Sequence, residues 1–148
     1  MLFVLICWMN NWIFVIKDDE SVFKKRIDGK TWPIFAATKF QTFLEIGDSV
    51  IFYQAGLSGQ KFLGTAMIKS KIKKIPGKID SYVEIDHVQI WEKYPSIRGL
   101  ISDLDLIKNK THWGLNLQGG ILQLNEKDHS LIIKEYEILK TKKQKLRQ

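Results

Sequence analysis

The stretch Ile46-Gly47-Asp48-Ser49-Val50-Ile51-Phe52-Tyr53-Gln54 organises the reading of the whole chain. Gly47-Asp48 is turn chemistry, and the β-branched and aromatic run behind it reads as a strand over 49–54. Residues 55–60 (AGLSGQ) set two glycines between apolar runs, the pattern of a hairpin loop into a strand over Lys61–Lys71. A further strand is expected over Tyr82–Trp91. Val83 and Ile85 fall on one face there, whereas Val88 and Ile90 fall on the other. A bulge near Asp86-His87 restores the register, and bulges are frequent where a sheet curls.

Upstream, Trp12–Lys17 (WIFVIK) reads as a short buried strand. Asp18 and Asp19 can cap a helix carrying Val22, Phe23 and Ile27 at helical spacing, and Gly29 ends it. Proline at 33 forces extended backbone at Trp32, which is expected in a loop. A second helical stretch follows, with Phe40, Phe43 and Leu44 on one face. Downstream, Leu100–Ile107 fits a short helix or a strand, and Glu126–Lys140 a closing helix. Strands, turns and short helices in this order give an α+β fold with a curled, mainly antiparallel sheet or small barrel.

The chain has 148 residues, 45% of them hydrophobic and 26% charged, which is one domain with a sizeable core. Cys7 is the single cysteine, so disulfide frameworks, zinc fingers and Cys-x-x-Cys redox sites are excluded. A reducing, cytoplasmic setting is the natural expectation. The apolar residues 1–9 (MLFVLICWM) fall short of the roughly 20 needed to span a bilayer. No basic region precedes them, which argues against a signal peptide. They are read as an apolar extension over 1–10, or as residues upstream of a start at Met9, the second being preferred.

The formal charge is +7, and it is collected rather than spread. Residues 140–148 carry Lys140, Lys142, Lys143, Lys145 and Arg147 with no acid, and Lys69, Lys71, Lys73, Lys74 and Lys78 form a second acid-free run. Two basic patches on a nearly neutral body suggest a polyanion, either nucleic acid or a membrane surface; solvated surface lysine is the plain alternative.

Catalytic signatures are missing: no Gly-x-Ser-x-Gly, no Gly-x-Gly-x-x-Gly, no phosphate-cradling Gly-x-x-x-x-Gly-Lys-Ser/Thr loop and no His-Glu-x-x-His. His87, His112 and His129 are scattered without metal-ligand spacing, and no metal or other cofactor is expected. Asp103 and Asp105 would point apart on a helix. Aromatics offer more. Trp32 beside a proline is either a stacking platform for a base or a plug of the core. Trp113, after Lys108-Asn109-Lys110 and near Gly119-Gly120, has the same two readings.

In combination, Trp12–Lys17, Trp32 and Ile46-Gly47-Asp48 leading into Val50-Ile51-Phe52-Tyr53 resemble the opening of an EVE domain. Leu100–Trp113 (LISDLDLIKNKTHW), Gly119 and Asp128 look like the C-terminal half of that family, so the likeness covers residues 11–139 and leaves 140–148 as a basic tail. EVE domains belong to the PUA-like superfamily and are similar to YTH domains, whose Phe-Val-Ile-Lys … Trp segment is echoed by Phe14–Lys17 and Trp32. The resemblance implies a PUA-like β-barrel flanked by short helices, with a pocket for one modified nucleobase. Carried over residue by residue, it implies Trp32 as a cage wall and Lys17 and Asp18 as base or backbone contacts. Tyr53 and Trp113 fall on aromatic positions of the EVE pattern, with Asn116 just beyond. Pro33 departs from the Gly-Val or Asp-Gly-Val that usually follows the tryptophan, and it removes a backbone donor.

The expected function is therefore a binding module for a modified base in DNA or RNA, taken single-stranded or extruded, with Lys69, Lys71, Lys73 and Lys74 on phosphates. The alternative is an RNA-processing or nucleotide-acting enzyme of the related ASCH kind. A third reading, a membrane-surface protein, would use the apolar N-terminus and the basic tail.

Overall fold

The computed structural model describes residues 9–17, 19–35, 38, 41–56, 59–78, 80–117 and 119–146. The first strand, β1 (Asn11–Lys17), leads into helix α1 (Glu20–Gly29) and strand β2 (Thr31–Ile34). Strands β3 (Ser49–Ala55), β4 (Lys61–Ile68), β5 (Lys73–Lys74) and β6 (Ser81–Ile90) follow, then β7 (Ile121–Leu124) and helix α2 (Glu126–Leu146). The strands run in the order β2-β6-β4-β3-β1-β7, with β5 beside β6. Among the described residues β1 and β3 alone pair in parallel, and the other pairings are antiparallel. The result is the expected α+β architecture, a curled mixed sheet shaped as a half-barrel with two helices.

Alternation sends successive side chains to opposite faces. On the inner face Trp12, Phe14, Val50, Phe52, Ile68, Val83 and Ile85 meet Phe23 of α1. On the outer face Ile13, Ile51, Tyr53 and Phe62 meet Ile97, Leu100, Leu104, Ile107 and Ile132 of α2. The Trp91 ring stacks on Tyr136 of α2 at 4.3 Å, which seats that helix.

The bulge lies where the slipped alternation places it. Thr65 pairs Gln89 while Met67 pairs Asp86, so β6 carries an extra residue, and His87 takes a φ of 50°. Gly64 is required opposite it, because a Cβ there would sit 2.2 Å from the Gln89 carbonyl oxygen. Helix α1 is capped by Asp19, whose carboxylate accepts from the backbone N–H of Ser21 and Val22 and from the Ser21 hydroxyl. These bonds hold the Asp19 pKa below the ordinary carboxylate value. Lys30, just beyond Gly29, closes the helix in the left-handed region at φ 54°.

Several expectations are corrected. Trp32 is in strand β2, not a loop, and is 2% exposed. Its ring lies among Phe14, Phe23 and Phe52, with centroids 5.1–6.2 Å away, and the Arg26 guanidinium caps it at 4.7 Å. The second helical stretch reduces to one 3-10 turn, Gln41–Phe43, with Phe43 62% exposed and only Leu44 buried; Phe40 lies outside the described residues. Residues 100–107 form consecutive turns rather than a helix or strand, with Leu100, Leu104 and Ile107 still buried. The third expected strand stops at Ile68, and β5 and β7 are additional. Helix α2 runs through Leu146, so part of the expected tail is helical. Residues 1–8 lie outside the described residues.

Two mutations measure these contacts. Asp48 is 2% exposed and accepts from the Trp12 indole N–H (2.8 Å) and from the backbone N–H groups of Asn10 and Glu45. Asp48→Ala is expected to cost about 3 kcal/mol or more by urea denaturation, with Asp48→Asn recovering part of the loss. Trp32→Ala is expected to cost about 3–5 kcal/mol in the same measurement, the magnitude of emptying an aromatic core site.

Candidate functional site

A cleft of about 850 Å³ opens over the C-terminal ends of β1 and β3 on the outer face of the sheet. Pairing of Val15 with Tyr53 and of Lys17 with Ala55 sets these four side chains along its base. The 3-10 turn Trp113–Leu117 forms one wall, and Phe35, directly after β2, forms another. Gly119 and Gly120 line the remaining side, where the Gly120 carbonyl accepts from the Val15 N–H at 2.9 Å. The absence of side chains at Gly56, Gly114, Gly119 and Gly120 keeps the space open.

Three of the sequence-predicted pocket residues meet here: Lys17, Tyr53 and Trp113. Lys17 is exposed at the rim. The Tyr53 phenol is buried, which pushes its pKa up to about 12, against a smaller opposing pull from Arg98. It is therefore a neutral hydrogen-bond donor near neutral pH. Arg98 steadies two walls: its Nε donates to Gln60 Oε1 at 2.8 Å, and its guanidinium lies 5.8 Å from the Trp113 ring centroid.

Other expected residues are placed elsewhere. Trp32 points into the core, so its indole is not accessible as a cage wall. Pro33 sits on β2 opposite Tyr82 and does not line the cleft; an edge strand is where proline is tolerated. Asn116 serves the wall itself: its Oδ1 accepts from the Lys108 N–H at 3.0 Å, and its Nδ2 donates to the Trp113 carbonyl. Asp18 lies outside the described residues.

Phe35, 52% exposed, was missed as a site residue although the same alternation reveals it. Trp32 and Ile34 face the core, so Phe35 turns outward. Arg98 comes from a distant segment and carried no local signal, whereas Gln60 and Gly119-Gly120 lie in stretches marked above, the 55–60 loop and the segment after Trp113, without being read as walls of the site.

Lys69, Lys71, Lys73 and Lys74 are exposed. Ser81 pairs with both Ile34 and Lys74, so this run flanks the strand leading to Phe35 at two strand spacings, about 10 Å. Lys73 is already engaged by Glu84 at 3.0 Å, and that hydrogen bond raises its pKa. Among the described residues no carboxylate or imidazole lines the cleft, no group of three or more His, Cys, Asp or Glu can hold a metal, and no helix is long and apolar enough to cross a membrane. The arrangement suits a flat ring against aromatic side chains, with one neutral hydroxyl and one ammonium at its edge.

No protein-family model matches the sequence, and no curated protein sequence matches it. Solved structures do. A hypothetical protein from Leishmania major superposes with a TM-score of 0.66 at 15% identity, covering 89% of this chain and 97% of that one. Human THYN1, in complex with DNA containing 5-methylcytosine, gives 0.63 at 13% identity, covering 86% and 98%. The YTH domain of the Zygosaccharomyces rouxii MRB1 protein, in complex with N6-methyladenosine RNA, gives 0.55 at 15% identity, covering 85% and 86%. The chain has the PUA-like α+β fold that EVE (DUF55) and YTH domains share.

Proposed function

We propose that this chain is a nucleic-acid-binding module that takes up a single, modified nucleobase in the cleft between Phe35, Tyr53 and Trp113. The observation that carries this reading is the convergence of three aromatic side chains and Lys17 around one glycine-sided cleft. A base stacked there loses water from both faces, and a methyl group on it gains further by desolvation. The Tyr53 hydroxyl and the backbone at Gly119-Gly120 offer polar partners to the base edge, and Lys17 offers an ammonium to its phosphate. THYN1 with 5-methylcytosine DNA and the YTH domain with N6-methyladenosine RNA support the reading through their shared fold. Binding is favoured over catalysis because the described cleft residues include no carboxylate, imidazole or thiol to work beside Lys17 and Tyr53.

Lys69, Lys71 and Lys74, together with the end of α2, add attraction to phosphate that is independent of sequence. In this scheme Trp32 supports the site from behind: it fills the core beneath the strand that presents Phe35.

Oligonucleotide titration tests the proposal. Phe35→Ala and Trp113→Ala are each expected to weaken binding of a modified oligonucleotide by about 5- to 150-fold, the worth of one stacking partner. Phe35→Ala should do so with an unchanged melting temperature. Trp32→Ala should lower stability without changing affinity per folded molecule. Replacing Lys69, Lys71 and Lys74 by glutamine should weaken modified and plain strands alike and flatten the salt dependence. Unchanged affinity in both aromatic variants would overturn the assignment of the cleft.

A further inference from the structure

Tyr53 and Gln54 are consecutive on β3 and so face opposite sides of the sheet. Tyr53 belongs to the cleft described above, whereas Gln54 lines a second one, of about 390 Å³, on the inner-face side. Gln54 is 3% exposed, and among the described residues its Oε1 has no hydrogen-bond partner. Buried polar atoms are almost always paired, because an unpaired one has given up water for nothing. A buried acceptor lining an open cleft is a group prepared for a donor that arrives from outside.

The surroundings narrow what that donor belongs to. One stripe of α1 forms a wall, with Phe23 and Ile27 low in it and Glu20, Lys24 and Asp28 along the rim. Leu63, Ile90 and Tyr94 complete the other wall; Leu63 is buried, while Ile90 and Tyr94 remain about two-fifths exposed. Ile90 and Tyr94 thus offer exposed apolar surface to a ring. The rim charges balance: Lys61 lies 4.0 Å from Glu20 and 5.1 Å from the Tyr94 ring centroid, and Lys24 stands beside Asp28 along the helix. The site therefore makes no demand for net ligand charge.

The geometry points to a second binding site, for a small neutral heterocycle that packs on Phe23, Leu63 and Tyr94 and donates one ring N–H to Gln54 Oε1. It is distinct from the base cleft, and it stands whether or not that cleft binds nucleic acid.

Indole and 1-methylindole, which share a ring system but differ in the donor, are the probes. In an NMR titration of the full chain, indole should shift the amides of Gln54, Phe23 and Tyr94 and bind at least ten-fold more tightly than 1-methylindole. Gln54→Leu should abolish that preference and raise the melting temperature, because it removes an unmet acceptor. Phe35→Ala should leave indole binding intact. Displacement of indole by an oligonucleotide would assign the ring to a base of the strand, and its persistence would assign it to a free heterocycle. Equal binding of the two probes, or shifts absent from this cleft, would overturn the proposal. The wild-type comparison alone decides the case if that variant fails to fold.

Discussion

The buried carboxylate of Asp48 is the constraint on which the remaining structure depends. Its two oxygens collect the Trp12 indole and the backbone N–H groups of Asn10 and Glu45, and its own carbonyl accepts from Ile68. One residue, through its side chain and its own carbonyl, thereby joins the start of β1, the turn before β3 and the end of β4. A charged acceptor in the core is tolerated only when every strong site on it is used, so the partners cannot drift. That fixes the parallel register of β1 on β3, from Asn11 opposite Ser49 to Lys17 opposite Ala55. The base of the aromatic cleft lies at the far end of this same register. Nearby, Ser49 Oγ donates to Asn11 Oδ1, and Asn11 Nδ2 donates to Glu126, extending the network to the first turn of α2.

What was legible in the sequence was whatever local chemistry decides. The Gly47-Asp48 turn, the hairpin at 55–60 and the slip at Asp86-His87 are encoded within a few residues, and the structure holds all three, although residues 57–58 lie outside the described part. Trp32 shows where local reading ends. Proline at 33 does impose extended backbone, but extension beside an unpaired stretch of β6 becomes a strand, and the alternation of that strand buries the indole. Three residues on, the same alternation exposes Phe35. Residues 100–107 misled for a related reason: their apolar spacing is real, but Asp128 accepts from the backbone N–H groups of Asp105 and Leu106 and draws the segment into turns. Only the tertiary fold supplies that acceptor.

The candidate site was legible in its residue types more than in its membership. Lys17, Tyr53 and Trp113 are separated by dozens of residues and meet only because the curled sheet brings the segment after β2 and the 113–120 segment over the ends of β1 and β3. Asn116, close to Trp113 in sequence, spends its amide on the backbone that shapes the wall. The arginine that braces the wall is equally remote. Arg98 reaches Gln60 across the hairpin and Trp113 across the turn, so the order of the aromatic wall is tied to a cation that no spacing rule exposes.

Both clefts form at one place on β3, and the pairing with β4 explains why. Phe52 pairs Gly64 and Tyr53 pairs Phe62, which leaves Leu63 as an extra residue in β4. A bulge bends its strand and deepens the local twist, so the ends of β3 and β4 turn away from the layers covering each face. Tyr53 and Gln54 stay buried there, yet each lies at the floor of a cleft, one on either side of the sheet. The departure from ideal pairing thus creates two openings back to back, with the base cleft on one side of the strand and the unpaired amide on the other.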